Sequence, residues 1–487
     1  MVSIPDPGTS SWLTPAAIAQ ATSGRVARTG KAATRVVTNT DDIRGGELFV
    51  ALKGARFDAH DFVPHALQRG AAGVVVQRVP ESIRMAAGGR AASDGFVVRV
   101  EDTARALLDL AREHRRRHRA RVIGITGSCG KTSTKDMLGF ALGRAIETVA
   151  SPKSFNNQVG VPLSLLDIEP STRAAVIEIG TNAPGEIGLL ARVAEPDVAV
   201  LTCVREAHLA GLRDLDGVAR EKSAIFDGMR ADGLAIVNGD DRACSGIASR
   251  LRVRTQTVRL ERPSDWFATD VGFCGLGTSF RLNGERPVSL PRIGTHNVYN
   301  ALFCIAAAHE LGVDIDGVID ALAVLPHSAR RLEPREVAGI RIIDDSYNMN
   351  PASARAALNA VQCVERGARR IVVFGEMREL GDRTDEFHVT LGHDVAAAQI
   401  DVLVTVGAVA ARIGDGAREA GMAADRIHAV DDVHEAIGLL RGLVHGPQDG
   451  LPGDVVLCKA SRAAALDMVV DGLIQDLGGT TVIGSAN

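Results

Sequence analysis

Aromatic side chains make up only 3% of this chain, with 2 Trp, 2 Tyr and 13 Phe among 487 residues. So few rings argue against the stacking platforms that bind single-stranded nucleic acid. Charge of one sign is also lacking: 55 Lys and Arg face 59 Asp and Glu, and a net charge of -4 gives no bulk attraction to polyanions or anionic lipid. No Cys-x-x-Cys pair exists. The seven cysteines, at 129, 203, 244, 274, 304, 363 and 458, are scattered, which argues against a disulfide framework and leads us to expect reduced, mostly buried thiols. No apolar run reaches the roughly 18 residues that span a bilayer. The opening residues, MVSIPDPGTSSWLT, lack a basic segment followed by an apolar one, so the expected location is cytoplasmic. Internal repeats, low-complexity blocks and long linkers are absent as well.

What is present is an alternation of strand-like and helix-like segments. At roughly 150 residues per domain the length predicts about three domains. Residues 1–100 contain a strand, polar loop, helix and strand between positions 47 and 76, a small α/β unit in which His60 and His65 read as loop and helix-surface residues. Residues 101–325 open on a helical pattern with a basic cluster at its end. The strand-like runs 122–126, 174–179, 198–204 and 234–237 follow, which predicts a doubly wound, mostly parallel sheet with ligands at the strand C-terminal ends. Residues 326–487 repeat the alternation in GIRIIDD, RRIVVFGEM, DVLVTVG, DRIHAV and GDVVLCKAS, and predict a Rossmann-like domain without a GxGxxG dinucleotide fingerprint.

The chemistry concentrates in RVIGITGSCGKTSTKDM, at 121–137. An apolar strand breaks at Gly127 and Gly130 into a turn of backbone N–H groups. Ser128, Cys129 and Ser133 complete the loop, Lys131 brings a point charge to phosphate oxygens, and Thr132 offers a hydroxyl to Mg2+. The general Walker spacing wants glycine where Ile125 stands, so this is a compact variant. Cys129 invites a nucleophilic or redox role, but no neighbour in sequence marks it as activated. Glu178 lies near the end of the run 174–179, His208 follows the run 198–204 within four residues, and with Thr132 they form a candidate Mg2+ shell of oxygen ligands and one imidazole.

Taken with SPKSFNNQVGVPLSLL (151–166), EIGTNAPGEIGLLA (178–191), GTHNVYNAL (294–302), DDSYNMNPAS (344–353) and GEMRELGDRTDEFH (375–388), these residues resemble the Mur ligases, ATP-dependent amino-acid and peptide ligases of bacterial cell-wall synthesis. The resemblance covers about residues 35–465. It implies ATP, two Mg2+ ions and a lysine carbamylated by CO2, at Lys222. Thr132, Glu178, His208 and carbamylated Lys222 would hold metal; Lys131 would be the catalytic phosphate-loop lysine. Asn297 and Asn300 fall near the adenine, and Arg331 and Asp345 would reach ATP when the domains close. Asn156 and Asn157 lie on the substrate side, where Tyr347 either meets substrate or packs. The implied partners are a UDP-N-acetylmuramoyl tripeptide, held by the first domain, and D-alanyl-D-alanine, held by the third, with a monomeric enzyme joining them through an acyl phosphate. Two departures stand out: 39–41 read Asn-Thr-Asp where the family has D-[ST]-R, and 459–461 read Lys-Ala-Ser where it has KGS. A related ligase adding a different amino acid, or a phosphate-loop switch that hydrolyses nucleotide, are the alternatives.

Overall fold

The computed structural model describes residues 12–54, 57–79, 95–364, 367–448, 452–478 and 481–482. The architecture is α/β throughout, built on three sheets. In the first, Leu48–Val50 lies between Val36–Val37 and Gly73–Val76, followed outward by Phe96–Arg99, all parallel, with Arg25–Arg28 antiparallel at the edge. The second has nine strands. Arg121–Thr126 sits between Ala174–Glu178 and Val198–Leu201, with Leu234–Asn238 and Arg254–Leu260 beyond, all parallel. The third runs parallel through five strands, with Val455–Lys459 between Arg370–Phe374 and Ile340–Asp345.

The central strands are apolar without alternation because helices cover both faces. Ala174–Glu178 and Val198–Leu201 are buried at every position, and Arg121–Thr126 at every position after Arg121. Parallel register then sets the site: Ile125 pairs with Glu178 on one side and with Val200 on the other. The turn after Thr126, the Glu178 carboxylate and the loop after Leu201 therefore emerge at one level, at the C-terminal edge of the sheet.

The basic run predicted at a helix end closes the helix Thr103–Arg117. Its arginines are engaged internally: Arg115 is buried with Nη2 2.8 Å from Asp197, while Arg112 and Arg116 pair with Glu195. Leu107 and Leu110 of this helix pack into the first domain's core, and Leu108 and Ala111 into the next.

Three readings change. His60 is buried rather than a loop-surface residue, because Asp58 sits 2.6 Å from its Nδ1 and its Nε2 accepts the Gln77 N–H at 2.8 Å; His65 is exposed. All seven cysteines are free, but only Cys244, Cys304 and Cys458 are buried; Cys274 lies exposed on a hairpin strand and the rest are half-buried. The strands Trp266–Cys274, Gly277–Leu282 and Arg286–Leu290, an antiparallel extension of the central sheet, had no counterpart in the sequence reading.

Candidate active site

Between the second and third sheets lies a cavity of about 790 Å³, lined by the glycine-rich turn, Glu178, His208, Asn297, Asn300, Arg331, Asp345 and Tyr347. The helix Lys131–Gly143 points its N-terminus into this cavity, so unpaired N–H groups and the positive end of the helix dipole face the space. Two glycines make that approach possible. Gly127 has φ +147° and a Cβ there would lie 1.9 Å from Thr202 Oγ1; Gly130 has φ +84° and its Cβ would lie 2.6 Å from Asn300 Oδ1. Asn300 braces the turn from below, accepting the Thr134 hydroxyl at 3.1 Å and donating to Asn297 Oδ1 at 3.1 Å, while Asn297 donates to the Ile293 carbonyl. Lys131 Nζ donates to the Gly127 carbonyl at 2.7 Å.

Glu178 is buried. One carboxylate oxygen accepts Asn156 Nδ2 at 2.7 Å, and the other has no partner among the described residues. Lys222 has no exposed surface, and its Nζ likewise lacks a partner. Burial, reinforced by the charge of Lys131, pulls the Lys222 ammonium down to about 7, so near neutral pH much of it is a free amine. It stands behind the cavity wall, not on it. His208 adopts a left-handed backbone and places Nδ1 2.5 Å from Glu379 Oε2, which holds the Glu379 carboxyl below its ordinary range. Among the described residues no group of three or more His, Cys, Asp and Glu side chains forms a metal centre. The Thr132 hydroxyl and the unpartnered Glu178 oxygen are hard donors that fit Mg2+, an ion that takes few protein ligands and completes its shell with water and phosphate oxygens.

The third domain reaches the turn directly. Arg331 Nη2 donates to Thr132 Oγ1 at 3.1 Å, and its guanidinium lies 4.1 Å from the Tyr347 ring centroid. Tyr347 shares a hydrogen bond with the Ser154 hydroxyl. Asp345 accepts Lys459 Nζ at 2.6 Å and the Leu332 N–H at 3.2 Å. Asn350, cap of the helix Pro351–Gln362, accepts the Cys129 thiol at 3.3 Å and donates to the Ser128 carbonyl at 3.5 Å. The same turn thus faces the cavity on one side and another domain on the other.

Models of the Mur ligase middle domain, the Mur ligase glutamate ligase domain and the Mur ligase family catalytic domain match residues 125–308, 330–462 and 34–115. A UDP-N-acetylmuramoyl-tripeptide–D-alanyl-D-alanine ligase of Bacillus subtilis (strain 168) is 34% identical, over 90% of this chain and 93% of its own. The chain belongs to the Mur ligase family. A crystal structure of MurF from Acinetobacter baumannii superposes with a TM-score of 0.85 at 31% identity, covering 95% of this chain and 98% of that one. MurF ligase from Thermotoga maritima in complex with ADP gives 0.79 at 28% identity, covering 91% and 97%.

Within this Mur ligase the structure gathers most of the expected residues around one cavity. Asn157 turns away in part, using its Oδ1 to cap the Val159 and Gly160 N–H groups. Residues 39–41 form the start of a short turn, with Asn39 capping the Asp41 N–H at 3.0 Å, so the side chain that replaces the family's aspartate does local work. Ala460 is buried and follows the strand carrying Lys459, which keeps its place despite the missing glycine. Three functional candidates were not singled out by the sequence reading: Asn350 and Glu379 stood inside quoted motifs, and Lys459 entered only as part of the altered KGS segment. Asn350-Pro351 is a helix-start signal legible in the sequence; the partners of Glu379 and Lys459 lie over a hundred residues away and carry no local signal.

Proposed function

We propose that this Mur ligase joins D-alanyl-D-alanine to a UDP-N-acetylmuramoyl tripeptide, the ligation its relatives' names describe for them, and that ATP drives it. The observation that carries the reading is the cavity between two domains, in which the phosphate turn of one is bonded to Arg331 and Asn350 of the other. Such closure serves a reaction that excludes water and assembles three reactants.

The tripeptide's terminal carboxylate attacks the γ-phosphorus of ATP, breaking the bond to the bridging oxygen and releasing ADP. The acyl phosphate formed is then attacked at its carbonyl carbon by the amine of the dipeptide. The tetrahedral intermediate expels phosphate, and the nitrogen loses its proton as the amide forms. Lys131 and the helix N-terminus offset negative charge on the transferring group. Arg331 adds a second cation once the domains meet. Bound Mg2+, held by Thr132, Glu178 and His208, would neutralise phosphate charge. Asn156 holds the Glu178 carboxylate in orientation. Alignment of bound reactants supplies up to roughly 7–11 kcal/mol of the acceleration.

Lys222 is carbamylated in this reading: its neutral Nζ attacks CO2 and loses a proton, and the resulting carbamate would offer a further oxygen ligand to a bound metal. The buried, unpartnered amine supports it. The first domain holds the UDP-sugar peptide and the third receives the dipeptide and closes over ATP. In this reading the enzyme acts as a cytoplasmic monomer; among the described residues no helix is long and apolar enough to cross a membrane.

Phosphate release, measured with each reactant omitted in turn, tests the function. Full turnover is expected only with ATP, tripeptide and dipeptide together. Comparable release without tripeptide or dipeptide would assign the chain to the hydrolytic class.

A further inference from the structure

Lys135 stands one turn beyond Lys131 on the phosphate-loop helix, only 3% exposed, and touches no part of the cavity. A buried ammonium is costly unless every proton finds an acceptor. Here Nζ donates to the Ser151 carbonyl at 3.0 Å and the Lys153 carbonyl at 2.9 Å, and lies 2.5 Å from the Asp136 carboxylate. Both carbonyls belong to the loop that leads into Ser154 and Asn156. Lys153 itself is held in the left-handed region, at φ +48°, a strained conformation that needs support from its surroundings. That loop delivers Asn156 to Glu178 and Ser154 to Tyr347.

The other end of the contact leads to the third domain. Asp136 accepts the Ser328 hydroxyl at 2.8 Å, and Ser328 lies in the connection between the second and third domains. Buried Arg292 binds the same connection, donating to Ser328 Oγ at 3.3 Å and to the Pro326 carbonyl. We propose that Lys135 and Asp136 are positioning residues that tie the phosphate-loop helix to the substrate loop 151–157 and to the interdomain connection, so that domain closure and substrate-loop geometry are set together. An apolar side chain of similar length would leave two backbone carbonyls and the Asp136 carboxylate without their donor. The charge is there to fix two carbonyls and one carboxylate.

The proposal rests on the ligase reading, and steady-state kinetics with ATP, UDP-N-acetylmuramoyl tripeptide and D-alanyl-D-alanine separates the two. No turnover by the unmodified enzyme sinks the ligase reading itself. Given turnover, Lys135→Met should raise KM for the tripeptide by roughly tenfold or more and move KM for ATP by less than about twofold, because the helix N-terminus is untouched. Ser328→Ala should lower kcat about fivefold, and Ser328→Thr, which keeps the hydroxyl, should restore it. The double variant should lose less than the product of the single losses, since both act through Asp136. A merely structural role predicts a lower melting temperature with both KM values unmoved or raised together, and either pattern overturns the proposal. If Lys135→Met does not fold, the serine pair still decides: equal kcat for Ser328→Ala and Ser328→Thr contradicts it.

Discussion

Two lysines on the central domain have different environments, and the proposed mechanism uses them in opposite charge states. In the proposed mechanism Lys131 works as a cation at the mouth of the phosphate turn, so Lys131→Ala should abolish phosphate release, a fall of at least about a thousandfold, while the fold, read by circular dichroism, stays intact. Retained turnover would remove the turn from catalysis. In the same proposal Lys222 works as an amine. Below about pH 7 it is increasingly an ammonium and cannot attack CO2; above that it can, so activation of CO2-stripped enzyme by bicarbonate should rise as pH passes through 7. Lys222→Ala should be inactive and regain part of its activity with a short carboxylic acid that stands in for the carbamate. An unimpaired variant rules carbamylation out. Lys131 was legible in the sequence because its neighbours declare a phosphate turn. Lys222 was not: in AREKSAIFDGM it reads as a solvated helix lysine, and only family resemblance pointed to it. Its burial arises from packing between helices that no local pattern encodes.

At the scale of elements, the strand–turn–helix at 121–143 and its neighbouring parallel strands were legible because continuous apolar runs and glycine placement are local signals. The antiparallel extension at 266–290 was hidden. Its strands carry mixed exposure and short turns, and their apolar positions alternate with Arg, Ser and Asp in a pattern too broken to stand out. The helix Thr103–Arg117 gives a prediction of its own. His114 accepts the Trp12 indole N–H at 3.0 Å on Nδ1 and bonds the Ile168 carbonyl at 2.8 Å through Nε2, joining three segments as a neutral ring. Burial foremost, and then the neighbouring His118, hold its protonation down to about 4 from an ordinary 6.5. Between those values the unfolded chain binds a proton that the folded one refuses. Stability present above pH 6.5 should therefore fall as pH drops toward 4, by about 3 kcal/mol from this group alone. Thermal unfolding across that range should show the decline, and His114→Gln should flatten it; an unchanged slope would assign the acid sensitivity elsewhere.

Across the whole molecule, the site exists only where domains meet. Thr132 and Ser154 belong to one, Arg331, Tyr347 and Asn350 to another, and each contact joins residues more than a hundred positions apart. The sequence could name most of the participants through resemblance, but it could not say which would touch. Arg331 is the sharpest case, because it bonds Thr132 and stacks on Tyr347 at once. Arg331→Lys keeps the charge but loses the planar fork, so kcat should fall roughly tenfold or more with KM for ATP little changed; wild-type kcat would show that charge alone suffices. The central claim is that phosphate passes to a carboxylate before it reaches water. Tripeptide carrying heavy oxygen in its terminal carboxylate tests it directly, by mass spectrometry of the phosphate released in one turnover. The account predicts one labelled oxygen in that phosphate; label retained wholly in the peptide product, with the phosphate carrying solvent oxygen, would contradict it.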